Sequence, residues 1–224
     1  MSSGTEEEMP LYRYTTTTEL LYLFEKNQLP TKPVSDLRVG CDIPEPECIE
    51  GVASLVWEEL NQVAEYTEWY AEPEISRSTW DRFADATLAL RSSKTDLLSQ
   101  LPDQMARVEE VCYADLEDFS NRPPTDGYGN YPVDALGGIF GVKSSKFDNQ
   151  RSVRVFVVPD GILDESDGMF SYSSLESFEG TRPEIGVVSN ELIQRVEVSP
   201  NAPSYTEDVV KSYLDDHGLG SLMS

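Results

Sequence analysis

The residues of this chain that could do chemistry are carboxylates first. Asp and Glu number 41 against 17 Lys and Arg, a formal net charge of -24 over 224 residues. So many carboxylates supply acids, bases and cation ligands along the whole length, and no pair among them is specific enough to mark glycosidase-type work. A Ser or Cys nucleophile needs an imidazole as base, and the single histidine, His217, sits in Asp215-Asp216-His217-Gly218 beside the C-terminal end. Cys41, Cys48 and Cys112 are odd in number, and the gap between the first two fits no compact zinc pattern, so they read as reduced thiols. Asp160 to Gly168 has the composition of a calcium loop but neither its alternation nor its closing Glu, and reads as an acidic turn. Gly137-Gly138-Ile139-Phe140-Gly141 lacks the G-x-G-x-x-G order and a following P-loop Lys. The expectation is a non-enzymatic protein with no catalytic residue, no cofactor and no metal site.

The charge then has to be explained by something other than a reaction. A disordered acidic tail would gather charge into blocks, yet the longest acidic run is Glu6-Glu7-Glu8 and 39% of residues are hydrophobic. A DNA mimic would array carboxylates at phosphate spacing to capture the Arg and Lys of a DNA-binding protein. Adaptation to concentrated salt is the third reading, because screening there shrinks to roughly 3 Å at 1 M and surface repulsion costs little. Base usage favours it: six Lys and eleven Arg leave most of the acid unbalanced, where ordinary surfaces intersperse the two signs. This composition resembles that of haloarchaeal proteins and their viruses. Basic patches are missing, so specific nucleic-acid binding is not expected. Neither a signal-peptide pattern nor an apolar run of about 20 residues occurs, so the expectation is a soluble, unsecreted product without membrane contact.

The elements that would position these residues divide into a helical and a β-rich part. Residues 1–10 read as a flexible acidic arm. Residues 11–27 begin β-prone, and Thr17 or Thr18 then caps a short helix carrying Leu20, Leu21, Leu23 and Phe24. Ile49, Val52, Ala53, Val56, Leu60, Val63, Ala64 and Thr67 recur at helical spacing, predicting a long helix from Pro46 to Tyr70. A second helix is predicted from Ser78 through Leu88, with a restart at Thr95-Asp96, and a third carries Met105, Val108, Cys112, Leu116 and Phe119 before Arg122-Pro123-Pro124. Beyond it, short β-prone runs fall at 139–142, 152–158, 186–188 and 194–198, and an amphipathic segment runs from Tyr205 to Leu214. The predicted fold class is α+β: an N-terminal bundle of three to four helices over 11–122, a β-rich excursion or small sheet over 123–200, and a C-terminal helix with a flexible docking tail over 201–224.

The aromatic residues at the ends of the predicted helices read first as the core of a helix hairpin and second as candidates for a subunit interface, because aromatic anchors are favoured there. Tyr66, Trp69, Tyr70 and Trp80 form one such group, and Tyr205, Tyr213 and Leu214 on the last helix form another.

Tyr14-Thr15-Thr16 leading into a short helix, a Pro-rich loop and a long helix ending Glu65-Tyr66-Thr67-Glu68-Trp69 resembles the head-tail connector (adaptor) proteins of tailed viruses. That resemblance covers residues 11–122 loosely, with Glu68 where the family often has Gly. It implies a homo-oligomeric ring between the portal and tail proteins, located at the neck of a virion assembled in the host cytoplasm. Tail-completion and capsid-associated proteins, an acidic DNA-mimic inhibitor and a halophilic enzyme are the alternatives.

Overall fold

The structure, a computed structural model, describes residues 9–39, 62–101, 106–114, 130–132, 142–144, 150–159, 163–164, 169–171 and 183–223. From the N-terminus the elements are β1 (Leu11–Thr15), α1 (Thr17–Lys26), β2 (Gln28–Leu29), β3 (Lys32–Pro33), α2 (Ser35–Val39) and β4 (Glu65–Ala71). There follow α3 (Arg77–Arg82), β5 (Leu88–Ser92), α4 (Lys94–Gln100), β6 (Ala106–Glu110), β7 (Cys112–Ala114), β8 (Asn130–Pro132) and β9 (Val142–Ser144). The remainder is β10 (Ser152–Val157), β11 (Leu163–Asp164), β12 (Met169–Ser171), β13 (Ile185–Gly186), α5 (Ser189–Leu192), β14 (Arg195–Val198), α6 (Thr206–Asp216) and a 3-10 turn, Gly220–Leu222.

This α+β fold is dominated by an antiparallel sheet and not by an N-terminal helical bundle, which corrects the expected architecture. Six strands lie along the sheet's path in the order β14-β5-β1-β4-β10-β6, with β3 beside β4. The predicted helix ending at Tyr70 is a strand over its last six residues, 65–70. Its 46–61 part lies outside the described residues. Tyr66, Thr67, Trp69 and Tyr70 are β-branched or aromatic, which suits a pleated surface. Burial on both sides of β4 removes the polar alternation that would have announced a strand. The predicted second helix stops at Arg82, and Leu88 opens β5. Where the third was expected, residues 106–110 and 112–114 are strands.

The chain divides into two compact units, residues 1–30, 69–100 and 186–224 in the first and 31–68 and 101–185 in the second. In the first unit β1 pairs with β5 over its whole length, Tyr12 opposite Arg91, and with the end of β4, Tyr12 opposite Tyr70. β14 lies on the far side of β5, Val196 opposite Leu90. Leu11, Leu88, Leu90, Trp69 and Val196, all buried, share one sheet face by this register. Helices α1 and α5 join over the chain's length: Ser189 Oγ donates to the Leu23 carbonyl at 2.8 Å, and Ser92 Oγ on β5 to the Leu192 carbonyl at 2.7 Å. On the opposite face Tyr12 and Ala89 form a buried cluster with Trp80 of α3.

In the second unit β3 pairs with the start of β4, and β10 pairs with β6, Val155 opposite Val108. All of β10 is buried. Smaller ladders join β11, β12 and β8, and a parallel pair joins β7 and β9.

Candidate interaction surface

A cluster of aromatic and polar groups in the first unit lies where α3 meets the β1/β4 face. Ser76 caps α3, its hydroxyl accepting from the Thr79 amide while Thr79 Oγ1 accepts from the Ser76 amide, so the first turn is fixed. This sets Trp80 and Phe83 against Tyr14. The Tyr14 ring stacks on Phe83 at 4.1 Å, meets Trp80 edge-on at 5.5 Å and lies 5.7 Å from Tyr70. Glu72, just past β4, gathers the polar atoms around them. One of its carboxylate oxygens accepts from Tyr14 Oη at 3.3 Å and Thr79 Oγ1 at 3.1 Å, and the other lies 3.3 Å from the Arg82 guanidinium. Burial pushes the Tyr14 phenol well above its ordinary range, and the adjacent Glu72 charge and hydrogen bond push it further. Stacked and edge-on ring contacts, tied together by Glu72, make this a structural joint between α3 and the sheet.

Two further buried ions are matched within their own units. Arg13, buried on β1, reaches Glu19 at 3.4 Å, and Thr15 Oγ1 donates to the same carboxylate oxygen. Arg154, fully buried on β10, donates from Nε to Glu68 at 3.2 Å. A carboxylate is the low-cost companion for a guanidinium withdrawn from water.

Of the seven interface candidates, Tyr66, Trp69, Tyr70, Trp80 and Leu214 are buried in the core. Tyr213 is half-buried, donating to Glu25 at 3.0 Å with its ring 4.2 Å from that of His217. Burial first, then the Glu25 hydrogen bond and charge, push its phenol up to about 12. Tyr205 alone is open, at 67% exposure. It precedes α6, whose Thr206, Val210 and Leu214 face inward at helical spacing. Tyr205 and exposed Val209, one turn apart, therefore form an outward apolar pair among Glu207, Asp208, Asp215 and Asp216.

His217 closes α6, with Nδ1 2.8 Å from the Tyr213 carbonyl and Nε2 3.5 Å from Glu25. Neither polar partner is a serine or a cysteine, the nucleophiles an imidazole base would serve. Nor do the described residues contain a group of three or more His, Cys, Asp or Glu that could hold a metal ion. No described helix is long and apolar enough to cross a membrane. Asp160, the Gly137–Gly141 segment, Cys41 and Cys48 lie outside the described residues.

The Glu72 joint escaped the sequence reading. Its partners lie 58, 7 and 10 positions away, and nothing local separates Glu72 from the other 40 acids. The only usable signal was Ser76-x-x-Thr79, a cap two residues upstream of the expected one.

No family model, curated protein or solved structure matches the chain.

Proposed function

We propose that this chain is a non-enzymatic structural protein of a virion built in concentrated salt, a haloarchaeal tailed virus, acting as a neck subunit that assembles into a homo-oligomeric ring between portal and tail proteins. The helical part of the likeness to connectors does not survive the strand at 65–71, so the reading rests on the surface. The observation that carries it is the placement of exposed acid in the first unit. Glu25 on α1 and Glu191 on α5 belong to helices over one sheet face, Asp81 on α3 to the other, and Glu207, Asp208, Asp215 and Asp216 to α6. A DNA mimic calls for carboxylate rows on one face, whereas solvent adaptation calls for acid on every exposed element.

A ring around passing DNA is also helped by a negative lumen, which repels phosphate and leaves the strand free to move. Tyr205 and Val209 supply an apolar anchor on the acidic helix, the kind of contact that screening in high salt leaves intact. Particle mass in concentrated KCl, alone and with the portal protein of the same virus, tests the proposal. A closed ring supports it. A monomer under both conditions overturns it.

A further inference from the structure

We infer that the segment Gly218–Met223 is a displaceable cover on the outer edge of β14, and that the partner it excludes is a second copy of this chain, pairing β14 to β14 about a two-fold axis. This inference is independent of the virion reading.

β14 ends the strand order, so among the described residues one of its sides has no strand neighbour within the sheet. The Ser199 amide donates to the Thr87 carbonyl at 2.9 Å, in register with the β14/β5 ladder. By alternation the backbone groups of Glu197 and Arg195 also face β5, and those of Val196 and Val198 face outward. An open edge of this kind is a template for another chain. Here Val196 is met by a single parallel bridge to Met223.

The route to that bridge is a helix end built to reverse. Gly218 adopts φ 72°, its amide donates to the Asp215 carbonyl at 3.0 Å, and the Leu219 amide donates to the Leu214 carbonyl at 2.7 Å. The 3-10 turn then brings Met223 to the edge, its amide held by the Gly220 carbonyl at 3.2 Å. One bridge is a small cover for a four-residue strand.

Charge selects the occupant and its register. Arg195 and Glu197 are both partly exposed and lie 3.5 Å apart along their own strand. Antiparallel self-pairing that uses the outward groups can centre on residue 195, 196, 197 or 198, and centring on Val198 sets Glu197 opposite Ser199 with no charge pair. Centring on Arg195 or on Glu197 sets like charges opposite each other. Centring on Val196 sets each Arg195 opposite the Glu197 of the second copy, at the non-hydrogen-bonded positions where side chains lie closer. The edge is therefore self-complementary in one register.

The test is Gly218→Val in the full chain, which places a β-branched residue at the left-handed turn, combined with Gly220→Val, whose added Cβ makes the exposed Asp215 carboxylate move aside. A chain ending at His217 is the second variant. The expected result is a doubling of particle mass relative to the unaltered chain, in analytical ultracentrifugation, with circular dichroism unchanged. Adding Glu197→Arg should weaken that association about tenfold, and further adding Arg195→Glu should restore it. A folded variant of unchanged mass overturns the inference, as does a doubling indifferent to Glu197→Arg. Loss of the fold in both variants overturns it too, because a segment the core requires is no displaceable cover.

Discussion

Glu72→Ala is the perturbation that bears most directly on how the first unit holds together. The carboxylate accepts from Thr79 at 3.1 Å and, less favourably, from Tyr14 at 3.3 Å, and it pairs with Arg82, whose side chain is 28% exposed. Hydrogen bonds to a charged acceptor contribute about 1.5 kcal/mol at the low end of their range, and the longer Tyr14 contact about 1 kcal/mol. The partly solvated Arg82 pair adds only about 0.5 kcal/mol after screening. The expected loss is therefore about 3 kcal/mol, a fall in melting temperature of roughly 6–12 °C for a chain of this size. Thermal unfolding followed by circular dichroism measures it. Glu72→Gln keeps an acceptor and should lose about half as much. Ultraviolet titration of the tyrosines in Glu72→Gln supplies a second readout: the Tyr14 phenol should move down, yet stay above its ordinary range because burial is the larger cause. A melting temperature for Glu72→Ala within about 2 °C of the unaltered chain would refute the reasoning.

Other outcomes follow from the same contacts. Trp69→Ala empties a fully buried site on β4 and should cost about 3–5 kcal/mol, read by chemical denaturation. Tyr213 has its phenol raised to about 12 in the fold against about 10 unfolded, so its contribution is complete below pH 10 and lost as pH rises through 12. Tyr213→Phe should flatten that alkaline limb of the stability profile, and an unchanged limb would show that the Tyr213 phenol is not its source. Tyr205→Ser should leave the melting temperature within about 2 °C, since the residue is 67% exposed, while reducing the proposed ring assembly. A drop in stability would mean that Tyr205 belongs to the core.

The helices whose caps are local chemistry were legible in the sequence. Thr16, adjacent to the expected Thr17 or Thr18, caps α1 and accepts from the Glu19 amide, and Leu20 and Leu23 face the core as expected. α4 begins at Lys94, close to the restart predicted at Thr95-Asp96, and α6 covers the predicted amphipathic segment. The β-prone runs at 152–158 and 194–198 are β10 and β14. What misled was burial without alternation. Ala64 and Thr67 continue a three-and-four apolar spacing, but β4 is held extended by partners far away in sequence, Pro33 and Lys32 on β3 opposite Glu65 and Tyr66, and Tyr12 and Leu11 on β1 opposite Tyr70 and Ala71. Those partners lie outside any local window, so local periodicity favoured helix where tertiary pairing imposed strand.

The interface candidates divided for a related reason. Trp69 and Trp80 have the residue type of interface anchors, but that type is equally suited to a core, and only the register of β4 and the Ser76 cap reveal which applies. Tyr205 stays open because the helix after it turns Thr206, Val210 and Leu214 inward.

Acid spread over α1, α3, α5 and α6 as an adaptation to solvent carries the functional reading, and it has a direct test. Unfolding is followed against KCl from about 0.1 M to about 3 M, where screening shortens from about 10 Å to below 3 Å. The account predicts a melting temperature that rises steeply across this range as self-repulsion among the carboxylates is removed. A fold equally stable at both ends would contradict it.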